Sequence, residues 1–266
     1  MSINVLTNLR QSVRVPETTT KLSNVHRGLA FEKRSMNLLE RCLSMSLRHV
    51  GGKSDGGVDL QGWWWVPTSN ASGAATTTTS LSMDMPRRRI RVFAQCKAEK
   101  KKLGPHYVRE LEGVLHRHRH LAASNQVNAP GGIDMVGLLI SQSAFTKAAL
   151  LHATSSVVPF LLLHIPPLSE EHQDGTLSDP SDSEIGSIVF NHALSHNSGP
   201  LRGEVEVRWE WSSQYGDKGG RPGLWWKGRR IPSRVPDGEQ EGLEVQDKTR
   251  CNIRNTQYGT LHDVKE

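Results

Sequence analysis

Ile90-Arg91-Val92-Phe93-Ala94-Gln95-Cys96-Lys97 alternates apolar and polar side chains so that Ile90, Val92, Ala94 and Cys96 share one side and Arg91, Phe93, Gln95 and Lys97 share the other. Eight residues of period-two alternation predict a strand, and the strand carries Gln95 and Lys97 on a single face. On its N-terminal side, Gly51-Gly52-Lys53-Ser54-Asp55-Gly56-Gly57 reads as a turn. The turn gives way to a second strand in which Val58, Leu60 and Gly62 alternate with Asp59, Gln61 and Trp63. On its C-terminal side, Gly104-Pro105 opens a helix that runs to about Arg119, with Val108, Leu111, Val114 and Leu115 as its buried stripe.

An earlier helix starts near Gly28, where Phe31, Leu38, Leu39, Cys42 and Leu43 recur at helical spacing. Glu32 precedes Met36, Leu39 and Leu43 by four, seven and eleven residues, so its carboxylate sits on or beside the apolar side. There it is either at the solvated rim or reaching into a polar site. Farther along come a strand at 136–141, a helix around 145–154 and a strand at 157–165. Strand and helix in alternation predict an α/β domain, a mixed sheet flanked by helices.

Composition divides the chain of 266 residues. Residues 1–25 are basic and rich in Ser and Thr, and Val5, Leu6, Leu9 and Val13 fit one side of a short helix, the pattern of an organelle transit peptide. Residues 26–167 hold the predicted domain, interrupted by a Thr- and Ser-rich excursion near 66–89. Residues 168–200 read as a polar acidic linker, and 201–266 as a C-terminal extension whose Val205-to-Trp211 alternation offers extra strands. Three cysteines without close spacing give no disulfide framework. The longest apolar stretch, Val157 to Ile165, is broken by Pro159 and His164 and is far short of the roughly 20 residues that span a bilayer. Net charge is +6, which favours a polyanionic partner. No glycine-lysine ATP loop, dinucleotide fingerprint or serine hydrolase elbow is present.

Hydrolysing a phosphodiester means bringing a nucleophile to an anion, which calls for a divalent metal, an acidic ligand and a group that orients water. Asp59 is the expected ligand. Gln95 offers an amide oxygen, and the backbone carbonyl of Cys96 is a further hard oxygen for Mg²⁺ or Mn²⁺. Lys97 is suited to orient water or to stabilise developing charge, with Glu32 completing the shell indirectly. Each has a plainer alternative: Asp59 as a turn carboxylate, Gln95 satisfying a loop, Lys97 as the first of the solvated run to Lys102. Lys100, Lys101, Lys102, Arg109, Arg117 and Arg119 are candidates for phosphate contact. His116, His118 and His120 alternate on a helix and so do not share one face for a zinc site. Trp225-Trp226 beside basic residues is a candidate for base stacking.

The pieces Gly28-Leu29-Ala30-Phe31-Glu32, Gly51 to Leu60, Gln95-Cys96-Lys97 and Ser143-Ala144-Phe145-Thr146-Lys147-Ala148-Ala149 resemble, in this order, the catalytic domain of Mrr-type restriction endonucleases in the PD-(D/E)xK superfamily. The resemblance implies a restriction-endonuclease-like fold, with Asp59 as the metal-binding aspartate, Gln95 and Lys97 as a Q-x-K variant, and Glu32 as the helix glutamate. With its basic leader and Val108-Arg109-Glu110-Leu111-Glu112-Gly113, the chain is closest in appearance to the fungal mitochondrial "required for respiratory growth" family. That implies a mitochondrial location. The expected function is metal-dependent cleavage of nucleic acid, DNA in the first instance, serving genome maintenance or respiratory growth. The alternatives are a non-catalytic nucleic-acid-binding or assembly factor on the same fold, and a protein-interaction module using the acidic or Trp-rich segments.

Overall fold

In the computed structural model, which describes residues 24–51, 56–69, 86–125, 134–167, 185–211 and 220–236, the first helix is α1, Asn24–Leu43. It buries Phe31, Ser35, Leu38, Leu39 and Leu43 along one stripe, as the spacing of its apolar residues requires. Complete burial of a side chain such as Leu39 contributes about 1.5–3 kcal/mol. The helix stops at Ser44, whose φ of 57° turns the chain into β1, Met45–His49.

β2, Leu60–Pro67, and β3, Arg87–Lys97, pair antiparallel from Leu60↔Ala94 out to Pro67↔Arg87. The Thr-rich excursion is therefore inserted at the tip of a regular hairpin, with residues 70–85 outside the described residues. Gly62 lets β1 approach, because a Cβ there would lie 2.0 Å from the Ser46 carbonyl oxygen. Helix α2, Pro105–Asn125, crosses over to β4, Met135–Ser141; helix α3, Lys147–Ser155, leads to β5, Phe160–His164. β3, β4 and β5 are parallel neighbours, as helical crossovers demand.

Next, β6, Ser187–Phe190, pairs antiparallel with β5 and completes a mixed sheet in chain order β1 to β6. It comes from the stretch that composition marks as linker, and Ile185 and Ile188 are the apolar residues that anchor it. A one-turn helix, α4 (His192–Ser195), and an antiparallel sheet of β7, Val205–Glu210, β8, Arg221–Trp226, and β9, Arg229–Arg230, follow. Sheet and core thus continue beyond residue 167.

Two apolar layers flank the six-stranded sheet. α1 packs with Leu60, Trp64, Ile90, Val92 and Ala94, and the same layer takes in Leu201, Val205, Leu224 and Ile231 from the C-terminal region. On the other face, α2 and α3 cover Phe93, Leu139, Phe160 and Leu162. Asn191, 2% exposed, ties this layer together: its side chain donates to the carbonyls of Ala153 and Val158 and accepts from the N–H groups of Phe160 and Leu194. No described helix is long and apolar enough to cross a membrane. The transit-peptide expectation falls on residues 1–25, of which 1–23 lie outside the described residues.

Candidate active site

The β2–β3 ladder ends at Leu60↔Ala94, and Asp59 stands one residue beyond it, where the chain leaves regular pairing and its N–H and carbonyl turn to different neighbours. Gly56 and Gly57, at φ 65° and 86°, turn the chain into this position. The Asp59 N–H donates to the Ala94 carbonyl at 2.9 Å, and its own carbonyl accepts from Val50 N–H at 2.8 Å and Gly51 N–H at 3.2 Å. Its carboxylate Oδ2 accepts from the Cys96 N–H at 2.7 Å. The carboxylate reaches across the strand gap to the backbone of the Gln-Cys-Lys segment. Along an antiparallel strand, the N–H and C=O of one residue point to the same neighbour. The Cys96 carbonyl is accordingly directed to the Asp59 side.

Gln95 is 2% exposed, on the sheet face covered by α2. Its Nε2 donates to Glu110 Oε1 at 3.1 Å, and Oε1, also enclosed, has no partner among the described residues. Because a carboxylate can only accept, Glu110 fixes which end of the amide is nitrogen. An enclosed carbonyl oxygen without a donor is costly, by about 1–3 kcal/mol, and such an atom is suited to a cation. Gly57 borders the pair: a Cβ there would lie 3.5 Å from Glu110 Oε1 and 3.8 Å from Gln95 Nε2.

Lys97, half-buried on the same face, holds its ammonium 5.1 Å from the Tyr107 ring centroid. The Tyr107 hydroxyl donates to Glu99, and that bond, followed by burial and the charges of Glu99 and Glu110, pushes its pKa up to about 12. Glu32 is engaged elsewhere, with its Oε2 2.6 Å from His49 Nε2. It still borders the site: burial first, then the Asp59 and Glu32 carboxylates, push the Cys96 thiol well above its ordinary range.

Among the described residues, no cluster of three or more His, Cys, Asp and Glu side chains is arranged to hold a metal. The expected donor set is of another kind: one carboxylate, one amide oxygen and one backbone carbonyl. Asp59, the unpartnered Gln95 Oε1 and the Cys96 carbonyl are, by their chemistry, the oxygens that could hold a hard divalent cation, with a single protein charge among them. Lys100, Lys101, Lys102, Arg109, Arg117 and Arg119 are all exposed, and the Arg117 guanidinium lies against Gly56 beside the site. His118 stacks on Phe93 with centroids 4.1 Å apart, while His116 and His120 are exposed. Trp225 and Trp226 are half-buried, their ring N–H groups donating to Glu210 and Glu204 at 3.0 and 3.2 Å.

Glu110, Tyr107 and His49 are the neighbours that sequence reasoning did not single out. A signal for Glu110 existed. It adjoins the buried stripe of Leu111, Val114 and Leu115 and is therefore, like Glu32, a carboxylate beside an apolar stripe that needs either solvent or a partner.

Residues 23–194 match the family model described as Required for respiratory growth protein 7. An uncharacterized mitochondrial protein of Schizosaccharomyces pombe is 30% identical over 154 residues, 58% of this chain and 49% of the relative. The chain thus spans about half the length of that curated relative. No solved structure matches. Family and relative together make this a mitochondrial protein. With the match extending over the whole six-stranded sheet, the chain belongs to the Required for respiratory growth protein 7 family.

Proposed function

We propose that the protein is a metal-dependent nucleic-acid phosphodiesterase of PD-(D/E)xK type, acting endonucleolytically on DNA in the service of mitochondrial genome maintenance. The observation that carries this reading is Gln95: an enclosed amide, oriented by Glu110, whose oxygen has no protein partner among the described residues and whose next residue, Cys96, donates its N–H to the Asp59 carboxylate. A bound Mg²⁺ or Mn²⁺ supplies charge neutralisation at the phosphate and makes water more acidic. Asp59, Gln95 Oε1 and the Cys96 carbonyl are the groups to hold it. Lys97, on the same face two residues on, holds and orients the attacking water or meets the charge that develops on phosphorus-bound oxygen. The Tyr107 ring beneath its ammonium keeps the cation in place without taking its charge.

The test is cleavage of linear, circular and branched DNA by the full chain in Mg²⁺ or Mn²⁺, beside Asp59→Asn. Asparagine keeps an acceptor for the Cys96 N–H but removes the anion, so divalent affinity and cleavage should both fall while the fold persists. Folded wild type that cuts none of these substrates in either metal sinks the proposal.

A second reading, a nucleic-acid-binding factor that does not cleave, is favoured by a specific observation. Glu32 is turned to His49 and Gln95 is neutral, which leaves Asp59 as the one anionic group of the expected donor set. Salt-sensitive binding without metal-dependent products would select it.

A further inference from the structure

Behind Asp59 and Gln95, the same sheet face turns basic and aromatic. Paired residues share a face, so Ser46↔Trp63, Arg48↔Gln61, Trp63↔Arg91, Gln61↔Phe93 and Trp65↔Arg89 place Arg48, Trp63, Arg89 and Arg91 on the face that carries Gln95 and Lys97. The guanidinium carbons of Arg89 and Arg91 lie 4.4 and 4.8 Å from the Trp63 ring centroid. Arg91 also lies 5.7 Å from the Phe93 ring, which stacks on His118. Arg89 is exposed, and Arg48, Trp63 and Arg91 are half-buried, so solvent reaches this part of the sheet.

Stacking on an aromatic ring pre-orders a guanidinium, so less side-chain freedom is lost when it binds an anion. Two guanidinium groups ordered on one ring present a repeated positive charge along the strand direction. Along β3 the interval from Arg91 to Gln95 is closed by α2, with Phe93 buried against His118, and the path therefore runs along β2: from Trp63 past half-buried Gln61 to Asp59 is four residues, about 13 Å at about 3.3 Å per residue. That is the reach of roughly four nucleotides along one strand of duplex, at about 3.4 Å each. Arg117, against Gly56, adds positive charge near the site end of the same path.

We infer that Arg89, Arg91 and Trp63 form a track that holds the phosphate backbone of a nucleic-acid strand whose neighbouring segment lies at Asp59, Gln95 and Lys97. The inference rests on the phosphodiesterase reading for the position of the cleaved bond. The track itself engages phosphates and is independent of base sequence. Trp63 is a positioning residue for the two arginines.

The experiment is fluorescence anisotropy of the full chain with labelled single-stranded and duplex DNA, and single-stranded RNA, in EDTA over a salt series. The Arg89→Gln/Arg91→Gln double variant should bind about tenfold or more weakly, and on duplex the slope of log affinity against log salt should shrink by about 0.9 for each phosphate that is no longer neutralised. Trp63→Leu should weaken binding with the salt slope unchanged, and Trp63→Phe should restore affinity. A double variant with wild-type circular dichroism, affinity and slope overturns the track, as does a wild type that binds none of the three probes. If the double variant is misfolded, Arg89→Gln alone decides, since that side chain is exposed: a reduced slope supports the track and an unchanged one overturns it. A wild type that binds through these residues but never cuts DNA defeats the phosphodiesterase reading alone. One that cuts, with binding indifferent to Arg89 and Arg91, defeats the track alone.

Discussion

Glu110 on α2 and Gln95 on β3 meet at 3.1 Å, carboxylate oxygen to amide nitrogen, and this hydrogen bond decides which atom of the Gln95 amide is left enclosed without a partner among the described residues. Glutamine brings no charge to the site. By holding Nε2, Glu110 leaves Oε1, the better cation donor, as the end turned away from it.

Replacing Gln95 by Glu sets two carboxylates against each other where amide and carboxylate now meet. In EDTA the Gln95→Glu variant should melt lower by about 2–4 °C for each kcal/mol of repulsion, for a domain of this size. Mn²⁺ should restore it, raising the melting temperature of the variant more than that of wild type. Equal Mn²⁺ shifts in the two proteins would show that no divalent cation binds beside Gln95.

Lys97→Ala should cut turnover by about 10²–10⁴-fold, the range for one catalytic group, with a small reduction in substrate affinity. Tyr107→Leu removes the ring under the ammonium and should cost much less. Single-turnover rates with matched binding curves separate the two. An alanine variant that cleaves at the wild-type rate removes Lys97 from the mechanism.

The Cys96 thiol is pushed well above its ordinary 9.0, first by burial and then by Asp59 and Glu32. It stays protonated at neutral pH, and a folded-state pKa above the unfolded value gives stability that is full below about 9 and declines as pH rises beyond it. Native protein should alkylate at half-buried Cys42 before Cys96. Mass spectrometry of peptides labelled before and after unfolding checks this, and early labelling of Cys96 would mean the site is open to solvent.

Ser233 donates to the Glu40 carbonyl at 2.8 Å and accepts from the Ser44 N–H at 3.0 Å, capping α1 from the far end of the chain. Arg87 adds bonds to Ser44 Oγ at 3.0 Å and the Pro232 carbonyl at 2.7 Å. Ser233→Ala should lower stability by about 1 kcal/mol. Ending the chain at residue 167 removes β6 and the apolar residues Leu201, Val205, Leu224 and Ile231, and should leave a protein without a cooperative melting transition. A truncated chain that melts like the full one would show that the C-terminal region adds nothing to the core.

α1, β2, β3, α2, β4, α3 and β5 follow from local pattern, in side-chain period or in a short apolar run of strand length, whereas β1, Met45–His49, carries no such mark and is set by its pairing with β2. Ile90 to Lys97 is the clearest case: period two puts Gln95 and Lys97 on one face whatever lies around them. The same logic predicts that Asp59 follows a glycine turn, and the close of the hairpin beyond Leu60↔Ala94 sets its carboxylate on the Cys96 N–H, next to Gln95. The ends of elements were less legible; α1 starts at Asn24 rather than Gly28, and α2 runs to Asn125 rather than about Arg119, since polar residues extend a helix already anchored by packing.

Other features were decided by packing between distant residues, which has no local period. Ser187–Phe190 is too short and polar-flanked to stand out from an acidic stretch, and it becomes a strand because the edge of β5 offers it hydrogen bonds. Glu32 lies beside an apolar stripe in the sequence, yet whether it joins Asp59 or pairs with His49 depends on how β1 follows α1. Glu110 meets Gln95 only because α2 crosses back over the sheet. The sequence by itself determined the kinds of groups at the site and the face they share; the crossover and the sheet edges determined their partners, because a carboxylate or an amide takes its role from the atoms that tertiary packing brings within about 3 Å.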